Sequence, residues 1–247
     1  MKLALLSDIH GNIEALEACL EHAAAYGVDG HAFLGDLVGY GADPVAVVER
    51  VAAFAAAGAP VVRGNHDTAA AGDRSEEMNA IAEAAVDWTR DQLTQDQRDW
   101  LAGLPLLAQQ ESICFVHASA AAPERWTYIL DTGGASRSVE ATDAIYTFSG
   151  HVHGQALYYC GAGMRMMRFS PVAGIPIPVA RHRRWLAIVG SAGQPRDGNT
   201  AACYAVFDSA RAMLTFHRVP YDYRAAAAKI RAAGLPEFLA QRLEKGE

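Results

Sequence analysis

Short apolar runs alternate with longer stretches of helical spacing along the first third of this 247-residue chain. Leu3 to Leu6 is a continuous apolar run of strand length, the pattern of a strand buried on both faces. Asn12 precedes Ile13, Leu16, Leu20 and Ala24, which recur at helical spacing. An Asn side chain at that point can accept from the free N–H groups of a helix start. His31 to Leu34 predicts a second strand, and Pro44, whose missing N–H is harmless in a first helical turn, opens a helix through Ala57. Pro60 to Val62 begins a third strand. The first 67 residues thus read β-α-β-α-β, with helical crossovers between parallel strands.

Beyond them, Ser75 to Gly103 reads as two helices divided near Leu93-Thr94-Gln95. Ile113 to Val116 is a strand. Ala118 to Thr142 is loop-like with short helical turns, and long enough to fold over a site. Strands follow at Ile145 to Phe148, Ala156 to Tyr159, Met164 to Phe169, Trp185 to Val189, Cys203 to Phe207 and Met213 to Val219. Glycine-containing turns join several of them, as in antiparallel pairs. The tail from Asp222 to Leu243 is helical, with a break at Gly234-Leu235-Pro236. Without a repeat or a linker, residues 1–247 read as one α/β domain.

Charge narrows the partners. The balance of 28 acidic against 21 basic side chains, −7 net, argues against a general nucleic-acid binder, which needs a basic stripe. It leaves a small phosphorylated substrate open, because bound cations are missing from the count. Cys19, Cys114, Cys160 and Cys203 form no C-x-x-C and read as core thiols of a reducing compartment. The apolar run before Ser7 and Asp8 is too short for a signal peptide, and the stretch Val51 to Val62 is interrupted by Gly58 and Pro60. A cytoplasmic protein without a membrane span is the expectation.

The chemistry collects at strand ends. Asp8 and His10 follow the first strand, Asp36 the second, and Asn65, His66 and Asp67 the third, roughly one βαβ unit apart. In a parallel arrangement these loops emerge at one sheet edge, where open α/β sheets place ligands. His117 ends the strand Ile113 to Val116, and His151 and His153 follow Ile145 to Phe148. Mixed oxygen and imidazole donors without Cys suit Mn, Fe, Zn, Ni or Co. They are too many for one ion and suit two ions sharing a carboxylate.

Asp8-Ile9-His10, Gly35-Asp36, Gly64-Asn65-His66-Asp67, His117 and Gly150-His151-Val152-His153, in that order, resemble the calcineurin-like metallophosphoesterases. The later Gly190 to Asn199 stretch is similar to one in the small bacterial and archaeal phosphodiesterase-like branch. The resemblance implies a four-layer αββα sandwich with two mixed sheets. It implies one divalent ion on Asp8, His10, Asp36 and His153 and a second on Asp36, Asn65, His117 and His151, with manganese favoured. It further implies an attacking hydroxide between the ions, His66 as general acid, and Asp67 orienting the His66 ring. The expected activity is hydrolysis of a phosphodiester, phosphoanhydride or phosphomonoester of a small molecule, a nucleotide by preference.

Arg63, Tyr40 and Arg196 are candidate substrate contacts. Trp126, Tyr128 and Tyr146 read as packing groups rather than base-stacking ones. Three alternatives stand beside the main reading: a protein serine/threonine phosphatase, a nuclease with the same chemistry, and a non-catalytic interaction scaffold. Protein phosphatases of the superfamily carry Asp-Arg-Gly after their Gly-Asp motif, whereas this chain has Tyr40 in place of that Arg, which counts against the first. The charge counts against the second, and the intact motifs count against the third.

Overall fold

Strand β1 (Lys2–Leu6) shows how the sequence builds its layers in the computed structural model, which describes residues 1–72, 78–161 and 165–247. Successive side chains of a strand leave opposite faces. Leu3 and Leu5 accordingly join one apolar cluster, while Ala4 and Leu6 join another. The first cluster lies between two sheets. The second lies under helices α1 (Ile13–Tyr26) and α2 (Pro44–Ala56).

In the first sheet β1 pairs in parallel with β2 (Gly30–Phe33) and antiparallel with β10 (Ala202–Asp208). β11 (Met213–Val219) and the short β8 (Ile177–Pro178) complete it. The second sheet runs β3 (Leu107–Gln110), β4 (Ile113–Val116), β5 (Tyr146–Ser149), β9 (Trp185–Val189), β6 (Gln155–Cys160) and β7 (Met166–Phe169). Within it β4, β5 and β9 are mutually parallel and the other pairings antiparallel. Phe207 of the first sheet meets Tyr146 and Phe148 of the second at centroid distances of 4.6 and 5.2 Å. Each fully buried Phe there contributes about 2–3 kcal/mol through lost apolar surface.

On the far face of the second sheet, Tyr158, Leu186 and Ile188 pack against Ala135 and Val139 of α6 (Thr132–Glu140). The order helix, sheet, sheet, helix is the expected four-layer sandwich. At its side, α4 (Ala80–Gln92), α7 (Tyr223–Ala232) and α8 (Glu237–Lys245) bury a cluster that includes Tyr40. Helices α3 (Asn65–Ala71) and α5 (Gln95–Gly103) complete the described set. No described helix is long and apolar enough to cross a membrane.

Four elements differ from the sequence reading. Pro60 to Val62 makes a single bridge, Val61 to Phe33, because the next N–H, that of Arg63, turns away to the Pro105 carbonyl. The stretch read as loop holds α6, a full helix despite Gly133 and Gly134, capped by Asp131 accepting from the Gly134 N–H. β3, half of it polar and exposed, and β8, two residues long, were too weak in pattern to expect. Cys160 is only partly buried, unlike the other three cysteines. The expected starts at Ser75 and Met164 lie outside the described residues; the elements are described from Ala80 and Met166.

Candidate metal centre

The parallel strands of both sheets deliver their carboxyl ends to one place. β1 leads to Asp8 and His10, β2 to Asp36, β4 to His117, and β5 to His151 and His153. The chain turns sharply as it leaves each strand. Asp8, His10, Asp36, His151 and His153 have φ of 52, 52, 51, 65 and 66°, and nearby Tyr40 has 63°. These are left-handed conformations that cost a non-glycine residue of order 1–3 kcal/mol each. Their concentration among candidate ligands marks the site independently of any motif. Gly150 belongs to the same packing, since a Cβ there would run into the Ser7 hydroxyl and the Asp8 carboxylate. That room lets the His151 N–H donate to Asp8 Oδ2 at 2.9 Å.

Backbone carbonyls fix the imidazoles. His10, His117 and His153 direct Nδ1 at the carbonyls of Val38, Leu34 and Gln194, at 3.3, 2.8 and 2.6 Å. A carbonyl only accepts, so each Nδ1 carries the proton and each Nε2 presents a lone pair. Those lone pairs converge. His10 Nε2 and His153 Nε2 stand 3.1 Å apart, and Asp8 Oδ1, buried without a hydrogen-bond donor, is 3.3 Å from the latter. His117 Nε2 faces Asn65 Oδ1 at 3.2 Å, Asp36 Oδ2 at 3.3 Å and His151 Nδ1 at 3.1 Å. Electron pairs brought this close in a buried site repel unless a cation lies among them, so the donor set fits divalent metal. Asp8, His10 and His153 form one group of candidate ligands and Asp36, His117 and His151 another, the ligand atoms of each lying within 4.8 Å of one another.

The titration behaviour follows. Burial raises Asp8, but the facing His153 and His117 hold it well below the carboxylate range. Asp36 is also depressed: burial opposes, while His117, His66 and His10 prevail. Burial depresses His10 far below the usual imidazole range, against the pull of Asp36. His117 behaves oppositely. Burial would lower it, but Asp36, Asp8 and the Leu34 carbonyl raise it to about 9. Burial and the adjacent His117 push His151 down to about 3.

The structure thus brings together all seven expected ligands: Asp8, His10, Asp36, Asn65, His117, His151 and His153. His66 joins them, 5.0 Å from the His10 ring and 4.4 Å from Tyr40, measured between ring centroids. Its Nδ1 is buried without a partner against Gly39, where a Cβ would come within 2.5 Å. Burial lowers His66 below its ordinary range, with Asp36 opposing.

Two expectations are corrected. Asp67 does not orient the His66 ring, because its carboxylate accepts from the N–H groups of Leu37, Val38 and Gly64 at 2.8, 3.1 and 2.9 Å. It ties the Asp36 loop to the start of α3. Burial and the Asp36 charge push it up to about 7 even so. Arg63 does not face the ligands as a substrate contact, because its Nη1 donates to the Ala102 carbonyl in α5 at 2.7 Å.

Tyr40 and Arg196 do adjoin the site, the guanidinium carbon standing 5.7 Å from the Tyr40 ring centre. Tyr146 packs as expected, its hydroxyl on the Val179 carbonyl. Tyr128, read as a packing group, instead stacks on His151 at 3.9 Å and 23° with 52% of its surface exposed. Gln194, whose carbonyl holds His153, was missed although it stands inside the Gly190 to Asn199 stretch.

Comparison with known proteins agrees with this geometry. Residues 1–212 match the family model of the calcineurin-like phosphoesterase superfamily domain. An uncharacterized protein of Methanocaldococcus jannaschii is 31% identical over 262 residues, covering 99% of this chain and 98% of its own. The crystal structure of a metallophosphoesterase from Sphaerobacter thermophilus superposes with a TM-score of 0.90 at 36% identity, covering 100% of this chain and 99% of the other. A hypothetical protein from Pyrococcus horikoshii shares the fold at TM-score 0.79 and 20% identity, covering 100% and 98%.

Proposed function

The chain belongs to the calcineurin-like phosphoesterase superfamily and is a phosphoester hydrolase, and from that premise we propose that it hydrolyses phosphodiester, phosphoanhydride or phosphomonoester bonds of a small molecule, a nucleotide by preference, with two divalent ions. The observation that carries this is the convergence of imidazole Nε2 atoms and carboxylate oxygens in one buried cluster. Among ions that accept oxygen and imidazole donors we favour manganese.

Bound there, two cations would supply positive charge to the phosphoryl oxygens and acidify the attacking water. The chain's own groups do the rest. Asp8, His10 and His153 would hold one ion, Asn65, His117 and His151 the other, and Asp36 both. The carbonyls of Val38, Leu34 and Gln194 keep three imidazoles in the ligating tautomer, as second-layer partners of metal ligands do. His66, sealed at Nδ1, works through Nε2 and passes a proton to the leaving oxygen. A lowered pKa makes His66, once protonated, a stronger acid than an ordinary imidazolium. Tyr128 supports the nucleotide preference, because a half-exposed ring beside a ligand offers a face for a planar group. The unpaired cysteines support action in a reducing cytoplasm.

The test is elemental analysis of the purified protein together with turnover of p-nitrophenyl phosphate and bis-p-nitrophenyl phosphate in Mn²⁺. Metal-dependent release of nitrophenol is expected. Failure to bind any divalent metal, or an unchanged rate in His66→Ala, overturns the reading.

A further inference from the structure

Two arginines from distant parts of the chain converge on one amide oxygen beside the metal-ligand cluster. Gln194 Oε1 accepts from Arg196 Nε and Nη2 at 3.1 and 2.7 Å, and from Arg242 Nη1, on α8, at 3.2 Å. Gln194 is 1% exposed, and its own carbonyl is the one that fixes the ligand His153. Arg242 Nε is buried without a hydrogen-bond partner.

Two like charges around a single neutral acceptor repel, and that repulsion is relieved by an anion bound between them. Guanidinium forks match phosphoryl oxygens in geometry and charge. Position matters as much. Arg196 lies over one side of the Tyr40 ring, and Tyr40 packs on His66 and His10. Beside them opens a cavity of about 330 Å³ lined by Tyr40, Asn79, Ala80, Ile81, Phe238 and Arg242. Arg242 stacks on Phe238 at 4.6 Å, which holds its guanidinium at the cavity wall. The volume is at the lower end of what small-molecule pockets offer.

We propose that Arg196 and Arg242 bind a second phosphoryl group of the substrate beside Tyr40, so that the preferred substrate carries at least two linked phosphoryl groups. In the reaction a water oxygen bonds to the phosphorus beside the ligand cluster and gives up a proton to solvent, the bridging P–O bond breaks, the leaving phosphoryl oxygen takes its proton from His66, and His66 is reprotonated from solvent. The cavity between Tyr40 and Phe238 receives whatever the second phosphoryl group carries. This rests on the phosphoester-hydrolase reading and adds the substrate's second anchor to it.

ADP and AMP differ by one phosphoryl group and serve as paired probes. In wild type kcat/KM favours ADP, and in Arg242→Gln and Arg196→Gln that ADP/AMP ratio falls at least about tenfold, the lower range for losing a charged hydrogen-bond partner. Arg242→Lys, which keeps the charge without the fork, falls between. Calorimetric titration of metal-stripped protein with inorganic pyrophosphate gives a second readout, with affinity weakened about tenfold in both Gln variants. Equal losses on ADP and AMP together with unchanged pyrophosphate binding overturn the proposal. If wild type hydrolyses neither nucleotide with any divalent metal, the hydrolase reading fails instead, and pyrophosphate binding alone decides the arginine pair.

Discussion

His66 donates its backbone N–H to Asp36 Oδ1 at 2.9 Å, and this leaves Asp36 Oδ2 to face His117 at 3.3 Å and His10 at 3.7 Å. One carboxylate therefore sets the position of the proposed acid with one oxygen and addresses both halves of the candidate metal cluster with the other.

Asp36→Asn separates these roles. The amide keeps an acceptor for the His66 N–H but loses the charge shared between the two halves. Metal content by elemental analysis is expected to drop below two per chain. Affinity should fall by more than the 10- to 100-fold typical of losing a group behind a ligand. Retention of two ions at wild-type affinity would remove Asp36 as the bridge.

For His66→Gln the expectation is a kcat lower by about 10²–10⁴ with metal content unchanged, the range for losing a positioned proton donor. A parallel fall in bound metal would make His66 a ligand instead.

Gly39→Ala probes the same ring from behind. Gly39 has φ of +87°, and an added Cβ would sit 2.5 Å from His66 Nδ1. The methyl forces both a strained backbone, at about 1–3 kcal/mol, and a displaced imidazole. Turnover should approach that of His66→Gln while thermal unfolding shows only the modest backbone penalty. Wild-type kcat in this variant would mean that the ring position is not critical.

Asp67→Asn distinguishes a loop tie from a catalytic group. Replacing one carboxylate oxygen by NH₂ leaves a buried donor facing a donor, at about 1–3 kcal/mol. Urea unfolding should show that loss, with kcat for the remaining folded enzyme within a few-fold of wild type. A large kcat effect without destabilisation would restore a direct role.

The pH dependence of stability has a contribution outside the site. His217 is buried in a stack with Tyr204, its Nε2 lacks a partner, and burial with His22 nearby lowers it from 6.5 to about 4. Folded His217 then binds fewer protons than unfolded His217 between those values. Stability is complete above pH 6.5 and is lost as pH falls toward 4. In metal-stripped protein His217→Phe should be flatter than wild type over that window, by urea unfolding at pH 7 and pH 5. Identical slopes would show that His217 does not titrate this way.

Much of this site could be read from the chain because its donors follow strands. A short apolar run ending in Asp8, Asp36, His117 or His151 says both where the strand stops and what stands at its end. What a side chain does with each of its atoms was not readable. Asp67 and Arg63 sit in the right motif with the right charge, yet Asp67 satisfies three backbone N–H groups and Arg63 the end of α5. Arg242 lies far from every motif and is placed only by the packing of α8. The helix α6 was hidden because its stability comes from the apolar face of the second sheet and an Asp131 cap rather than from its own glycine-rich first turn.

The pairing of β1 with β10 bears on how the protein is made. Asp8 and its neighbours are strapped by late residues: Ala192 N–H donates to the Ser7 carbonyl, and Gly193 N–H and the Ser191 hydroxyl to that of Asp8. A ribosome releases the amino-terminal part first. All seven donors have emerged once His153 is clear, but the strap and β10 follow only with residues 191–208. For that interval the donors lack the late strap that holds Asp8 and the Gln194 carbonyl that holds His153, and a looser set ranks ions more by intrinsic affinity than by geometry.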